Sequence, residues 1–152
     1  MIFLKTLEKR AHMTDKEKAT KVVDKMYNND PFSKWLGIER LEDDKGKSQL
    51  QMVIRPEMLN GFDIAHGGIT YSLADSCLAF AANSHGRMSV SVETSISHTK
   101  SLKQGDVVTA TAEEVSLTNK IGIYQIKLTN QENETVGLFK GTVYRTSKNW
   151  EV

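Results

Sequence analysis

The chain has 152 residues, 39% hydrophobic and 26% charged, which suits a single domain with a buried core. Twenty Lys and Arg against nineteen Asp and Glu leave a formal net charge of +1, so no electrostatic case arises for nucleic acid or an anionic membrane as partner. Cys77 stands alone, which excludes an intrachain disulfide, and no apolar run approaches the roughly 18 residues of a membrane span. The N-terminal run Met1-Ile2-Phe3-Leu4 is too short for a signal peptide, so a cytoplasmic setting is expected.

Residues 1–13 read as a flexible extension, and 14–152 as one domain. Thr14-Asp15-Lys16-Glu17 fits a capping box that opens a helix running to about Asn28. Pro31 ends it, because a residue before proline is pushed out of the helical region. Two strand-like runs follow, near Gly37–Glu42 and Ser48–Arg55, with a turn at Asp43-Asp44-Lys45-Gly46. Leu50, Met52 and Ile54 alternate with polar residues in the second.

A long segment from Gly67 to about Asn83 then reads as a helix. Ile69, Leu73, Cys77 and Phe80 give it a bulky side. Ser72, Asp75, Ser76, Ala79, Ala82 and Asn83 give it a small one. Four strands close the chain: Ser89–His98, Asp106–Leu117, Ile121–Asn130 and Val136–Thr146. Alternation groups Val90, Val92, Thr94 and Ile96 in the first of these, and Val136, Leu138, Thr142 and Tyr144 in the last. Strands that cluster rather than alternate with helices argue an α+β fold with an antiparallel sheet curled around the central helix.

The chemistry concentrates at the start of that helix. Asp75 is an ionisable group in an apolar segment, and needs either water, a partner or a task. Gly67-Gly68 is either a flexible helix start or a place where a ligand reaches free backbone N–H groups. Asn60 is either a turn residue or an amide that fixes a carbonyl or a water. His66 is either an acid–base group or a cap that supports the loop, the second being favoured. His12, His66, His85 and His98 show no metal-ligand spacing, and neither a P-loop nor a G-x-S-x-G elbow is present. No metal or organic cofactor is expected.

Met58-Leu59-Asn60-Gly61, His66-Gly67-Gly68, Ser72-Leu73-Ala74-Asp75 and Ala81-Ala82-Asn83-Ser84 together resemble the hotdog-fold acyl-CoA thioesterases, above all the PaaI type of phenylacetate degradation. The likeness continues through Gly105-Asp106, Gly122-Ile123-Tyr124 and Leu138-Phe139-Lys140-Gly141, and spans about residues 20–146. It implies a sheet wrapped around one long helix, a homodimer as the minimal active unit, and a homotetramer built as a dimer of dimers. It further implies that Gly67 donates a backbone N–H to the thioester oxygen and that Asn60 positions that oxygen or the water. Asp75 would come from the partner subunit as general base or nucleophile. Ser91 aligns with a position that orients the water in some relatives. His66, Gly68 and Tyr71 would border the substrate. Tyr71, Ser76-Cys77-Leu78 and Asp63-Ile64-Ala65 depart from the PaaI-type pattern, so the resemblance implies an acyl-CoA without implying a phenylacetyl one. Lys100, Lys103, Lys120, Lys140, Arg145 and Lys148 are candidates for the CoA phosphates. Two other readings stand beside this one. One is a hotdog hydratase or dehydratase using His66 with Asp75; the other is a non-catalytic acyl-CoA-binding domain.

Overall fold

A computed structural model describes residues 12–152; the extension expected at 1–13 lies almost wholly outside the described residues. Helix α1 (Asp15–Asn28) opens with the expected capping box: Thr14 accepts from the Glu17 N–H while Glu17 accepts from that of Thr14. Pro31 does end α1, but it also begins a second helix, α2 (Pro31–Leu36), which the sequence reading omits. Proline at the first helical position forfeits only an N–H that has no partner there, and Asp30 caps the turn by accepting from the Ser33 N–H. Gly37, at φ 74°, closes α2 in a left-handed conformation that favours glycine.

The strands are β1 (Glu39–Asp44), β2 (Lys47–Val53), β3 (Arg87–His98), β4 (Val107–Leu117), β5 (Ile121–Thr129) and β6 (Thr135–Asn149). They form one antiparallel sheet in the order β1-β2-β4-β5-β6-β3. Helix α3 (Gly67–Asn83) carries the chain from β2 to the far edge of the sheet and touches all six strands. Its 17 residues span about 25 Å.

The sheet buries one face against α3. Leu50, Met52, Val108, Ala110, Tyr124, Ile126 and Leu128 alternate inward and meet Leu73, Cys77, Leu78, Phe80 and Ala81. Each large side chain so buried contributes roughly 1.5–3 kcal/mol of transfer free energy. The sheet and helix approach so closely at Gly141 that a Cβ there would lie 2.3 Å from Leu78 Cδ2.

Three face assignments need correction. In β6 the core row is Gly137, Phe139, Gly141 and Val143, whereas Leu138 and Tyr144 face out. In β3 a register shift between Ser91 and Glu93 breaks the alternation, so Val90 and Val92 are exposed while Thr94 and Ile96 turn toward the helix. In α3, Ala82 and Asn83 are buried rather than open. Asn83 donates to the carbonyls of Ala79 and Ser89 and accepts from Ser89 N–H and Trp150 Nε1–H, which removes it from any ligand face.

Candidate active site

The loop before α3 is tightly built. A 3-10 turn at Pro56–Met58 leads into Asn60, whose N–H donates to the Ile64 carbonyl at 2.8 Å and whose carbonyl accepts from Asp63 at 3.1 Å. Asp63 sits at φ 58°, a left-handed conformation that Asp tolerates better than most residues. The Asn60 side chain closes the loop further, its Oδ1 accepting from the Phe62 N–H at 2.9 Å. Asn60 is therefore a turn residue, and that role uses its carbonyl oxygen alone. Its Nδ2 has no acceptor among the described residues. Two backbone bonds, Ala65 N–H to Leu102 O and His66 N–H to Met58 O, both 2.8 Å, clamp the loop where α3 begins.

His66 is the N-cap of α3. Its Nδ1 accepts from the Gly68 N–H at 2.9 Å, the support role rather than a free acid–base position. The cap leaves the Gly67 N–H without an acceptor among the described residues, at the positive end of the helix dipole. Gly67 and Asn60 line a cavity of about 380 Å³ with Thr70, His98, Lys100 and Leu102. Of the six basic residues considered for CoA phosphates, Lys100 alone lines it. Its ammonium pairs with Glu134 and holds that carboxyl down to about 2.

Asp75 lies on the least buried stripe of α3, with Gly68, Ser72, Ser76 and Ala79. Burial raises its pKa, and among the described residues no group donates to it. Ser72, one turn earlier, spends its hydroxyl on the Gly68 carbonyl at 2.7 Å. Asp75 is eight residues beyond Gly67 on the same helix, about 12 Å along its axis. A carboxylate acting on a carbonyl held at Gly67 must approach within hydrogen-bond reach of the attacking water. One chain therefore does not bring Asp75 together with Asn60 and Gly67.

The remaining expected residues divide. Gly68 contributes through the cap bond. Tyr71 is fixed to the sheet: its hydroxyl pairs with Thr94, and its ring meets Phe139 edge-on at 5.2 Å. Ser91 is exposed on the edge strand β3, opposite Val143 of β6. Cys77 is wholly buried, and burial pushes its thiol up to about 12, so it serves packing and not nucleophilic chemistry.

The sequence reading misses His98 and Thr70. His98 Nε2 is 3.0 Å from where a Cβ on Gly67 would stand, and its Nδ1 is 3.4 Å from Thr70 Oγ1. The alternation of β3 held the signal, since His98 follows Thr94 and Ile96 on the helix side of the strand, where it is itself exposed at the strand's end. A larger concavity of about 810 Å³ lies on the outer face of the sheet among Gln49, Thr109, Thr111, Gln125 and Lys127. It holds none of the converging donors described above. Among the described residues no group of three or more His, Cys, Asp or Glu could hold a metal ion. No helix among them is long and apolar enough to cross a membrane.

Comparison with known proteins identifies the lineage of this arrangement. Residues 62–136 match the pattern of the thioesterase superfamily. A relative from Archaeoglobus fulgidus is 39% identical over 130 residues, covering 86% of this chain and 84% of that protein. The acyl-coenzyme A thioesterase PaaI of Escherichia coli is 38% identical over 120 residues, covering 79% of this chain and 86% of its own. Its solved structure superposes with a TM-score of 0.88, covering 90% of this chain and 99% of that one. A hypothetical thioesterase of Streptococcus pneumoniae, solved with coenzyme A, has a TM-score of 0.72 at 26% identity, covering 74% and 88%. Separate variants of that protein replace an aspartate and, sixteen positions later, a threonine by alanine. The chain belongs to the thioesterase superfamily, and its sheet wrapped on one helix is the hotdog fold.

Proposed function

We propose that the protein hydrolyses an acyl-CoA thioester at sites shared between two copies of the chain. One observation carries the shared site: Gly67, with Asn60 in the loop before it, and the carboxylate of Asp75 are separated by about 12 Å along α3. A second chain with its α3 antiparallel to the first would set its Asp75 against them.

The chemistry follows from the groups. The Gly67 N–H and Asn60 Nδ2–H hold the thioester oxygen and stabilise it as it gains charge; removing one such donor typically costs about 10²–10³ in rate. Asp75 of the second copy takes a proton from water, the water oxygen bonds to the carbonyl carbon, and a tetrahedral intermediate forms. It collapses by breaking the C–S bond, and the departing CoA thiolate recovers the proton from Asp75. Direct attack by Asp75 through a mixed anhydride uses the same placement. Label found in Asp75 after single-turnover hydrolysis in oxygen-18 water establishes direct attack, because general-base action puts the water oxygen only into the acid product.

Ser91 follows Asp75 by sixteen positions, the separation of the aspartate and threonine replaced in the Streptococcus pneumoniae protein, which supports a role for its hydroxyl in holding the water. Coenzyme A in that structure supports acyl-CoA as the ligand class. Asn60, Ile64, Ala65 and Gly67 border the thioester, with Gly68 beside them at the helix cap and Lys100 toward the phosphates. We assign a homodimer as the active unit, a homotetramer as its assembly and the cytoplasm as its setting, without a metal or organic cofactor. The hydratase reading loses its main support, because the Nδ1 of His66 is occupied by the cap bond.

The test is thiol release from a panel of aliphatic and aryl acyl-CoAs, with Asp75→Asn beside the parent. Turnover of at least one ester that falls about 10³-fold in the variant is expected. CoA binding with no Asp75-dependent release from any ester overturns the assignment in favour of a binding domain.

A further inference from the structure

The helix-side row of β3 ends on a solvent-exposed imidazole where Thr94 and Ile96 would lead one to expect an apolar or half-apolar side chain. The ring is oriented rather than loose. Nε2 is its nearest atom to Gly67, at 3.0 Å from the Cβ position, with Cε1 at 3.5 Å and Cδ2 at 3.7 Å. Nδ1 faces Thr70 Oγ1 at 3.4 Å. The Thr70 hydroxyl donates to the Gly67 carbonyl at 3.2 Å, so its lone pairs are what it offers Nδ1. That arrangement places the ring proton on Nδ1 and leaves Nε2 with a lone pair. Nε2 has no partner among the described residues and borders the cavity shared with the free Gly67 N–H and Asn60 Nδ2. Two donors and one acceptor thus meet around one space, and no described residue satisfies any of the three. Such convergence marks a ligand's own polar groups.

We infer that His98 is a substrate-contacting residue whose Nε2 accepts a hydrogen bond from the ligand beside the thioester. The inference rests on the thioesterase reading. Gly67 and Asn60 supply donors to the carbonyl oxygen, so the partner of Nε2 is an N–H or O–H of the bound assembly. Two sources have that chemistry: the attacking water, and an amide N–H of the pantetheine arm. Thr70 acts through His98 as a positioning residue by holding the proton on Nδ1.

The test compares His98→Phe, which keeps a planar ring without the acceptor, with His98→Gln, which keeps a side-chain acceptor. Both are assayed with an acyl-CoA and with the matching S-alkyl thioester, which lacks the pantetheine amides. His98→Phe is expected to lower kcat/KM on the acyl-CoA 10- to 100-fold, with unchanged thermal stability, and His98→Gln to recover most of that loss. An equal loss on both esters assigns the contact to water. A loss on the acyl-CoA alone assigns it to pantetheine. Full activity in His98→Phe, or no recovery in His98→Gln, overturns the proposal. If the parent protein hydrolyses nothing, the thioesterase reading fails first. Asp75-dependent turnover that ignores His98 defeats this proposal alone.

Discussion

The Oγ atoms of Ser33 and Ser76 lie 2.9 Å apart, which ties α2 to the turn of α3 next to Asp75. Ser33 is almost fully buried and donates its own hydroxyl proton to Asp30 Oδ2 at 2.5 Å, so Ser76 is the donor between the two serines. Ser33→Ala removes both contacts and strands the Ser76 hydroxyl. A loss of about 1–2 kcal/mol in urea unfolding is expected. Turnover should fall more than in Ser72→Ala, whose hydroxyl serves only its own helix.

Burial raises the pKa of Asp75, so the native chain keeps that proton to higher pH than the unfolded chain does. The resulting stability is complete below the ordinary aspartate value near pH 4 and is lost as pH rises through the raised native value. Ionised Asp75 therefore weakens the fold at neutral pH. Asp75→Asn should raise the melting temperature at pH 7 and leave it unchanged near pH 3.5, as scanning calorimetry can check. The proposed mechanism uses the ionised form, so the parent rate should fall as pH drops through the same raised value.

His66 distinguishes capping from catalysis. His66→Ala removes the acceptor for Gly68 N–H and should cost about 1 kcal/mol. His66→Asn supplies a capping oxygen and should restore both stability and most activity. If His66→Asn stays as inactive as Asp75→Asn at parent stability, the imidazole takes part in the chemistry and the hydratase reading returns.

Gly141 is needed by packing. A methyl there meets Leu78, and Gly141→Ala should cost about 1–3 kcal/mol. Leu78→Ala alone is destabilising by leaving a cavity. The double variant should be more stable than the sum of the single losses predicts, a coupling that a double-mutant cycle measures.

Much of this was readable from spacing. The Gly67–Asn83 helix, the hairpin at Lys45-Gly46 and the alternation of Leu50, Met52 and Ile54 are local patterns, and the fold keeps them. Helix α2 escapes because six residues are too few to show a period, and because Pro31 signals an end and a beginning alike. Asn83 reads as a polar residue on an open face until Trp150, distant in sequence, folds back to donate to it. The face of β6 inverts for a similar reason. Gly137 and Gly141 carry no side chain to announce an inward row, yet Leu128 of β5 crowds the first and Leu78 of α3 the second. His98 is harder still, since its meaning comes from Gly67, thirty-one positions away, across the sheet–helix interface.

The distance between Gly67 and Asp75 along α3 has a genetic counterpart. Under the proposed shared site, Asn60→Ala and Asp75→Asn should each disable every site of a pure homodimer, but from opposite halves. Co-expressed, the two inactive alleles should complement each other. Half of randomly assorted dimers would be mixed, and each would hold one wholly intact site and one doubly defective one. Such a population should recover about a quarter of the parent activity. A chain that carries both substitutions, mixed with the parent, should rescue nothing beyond the parent's own share.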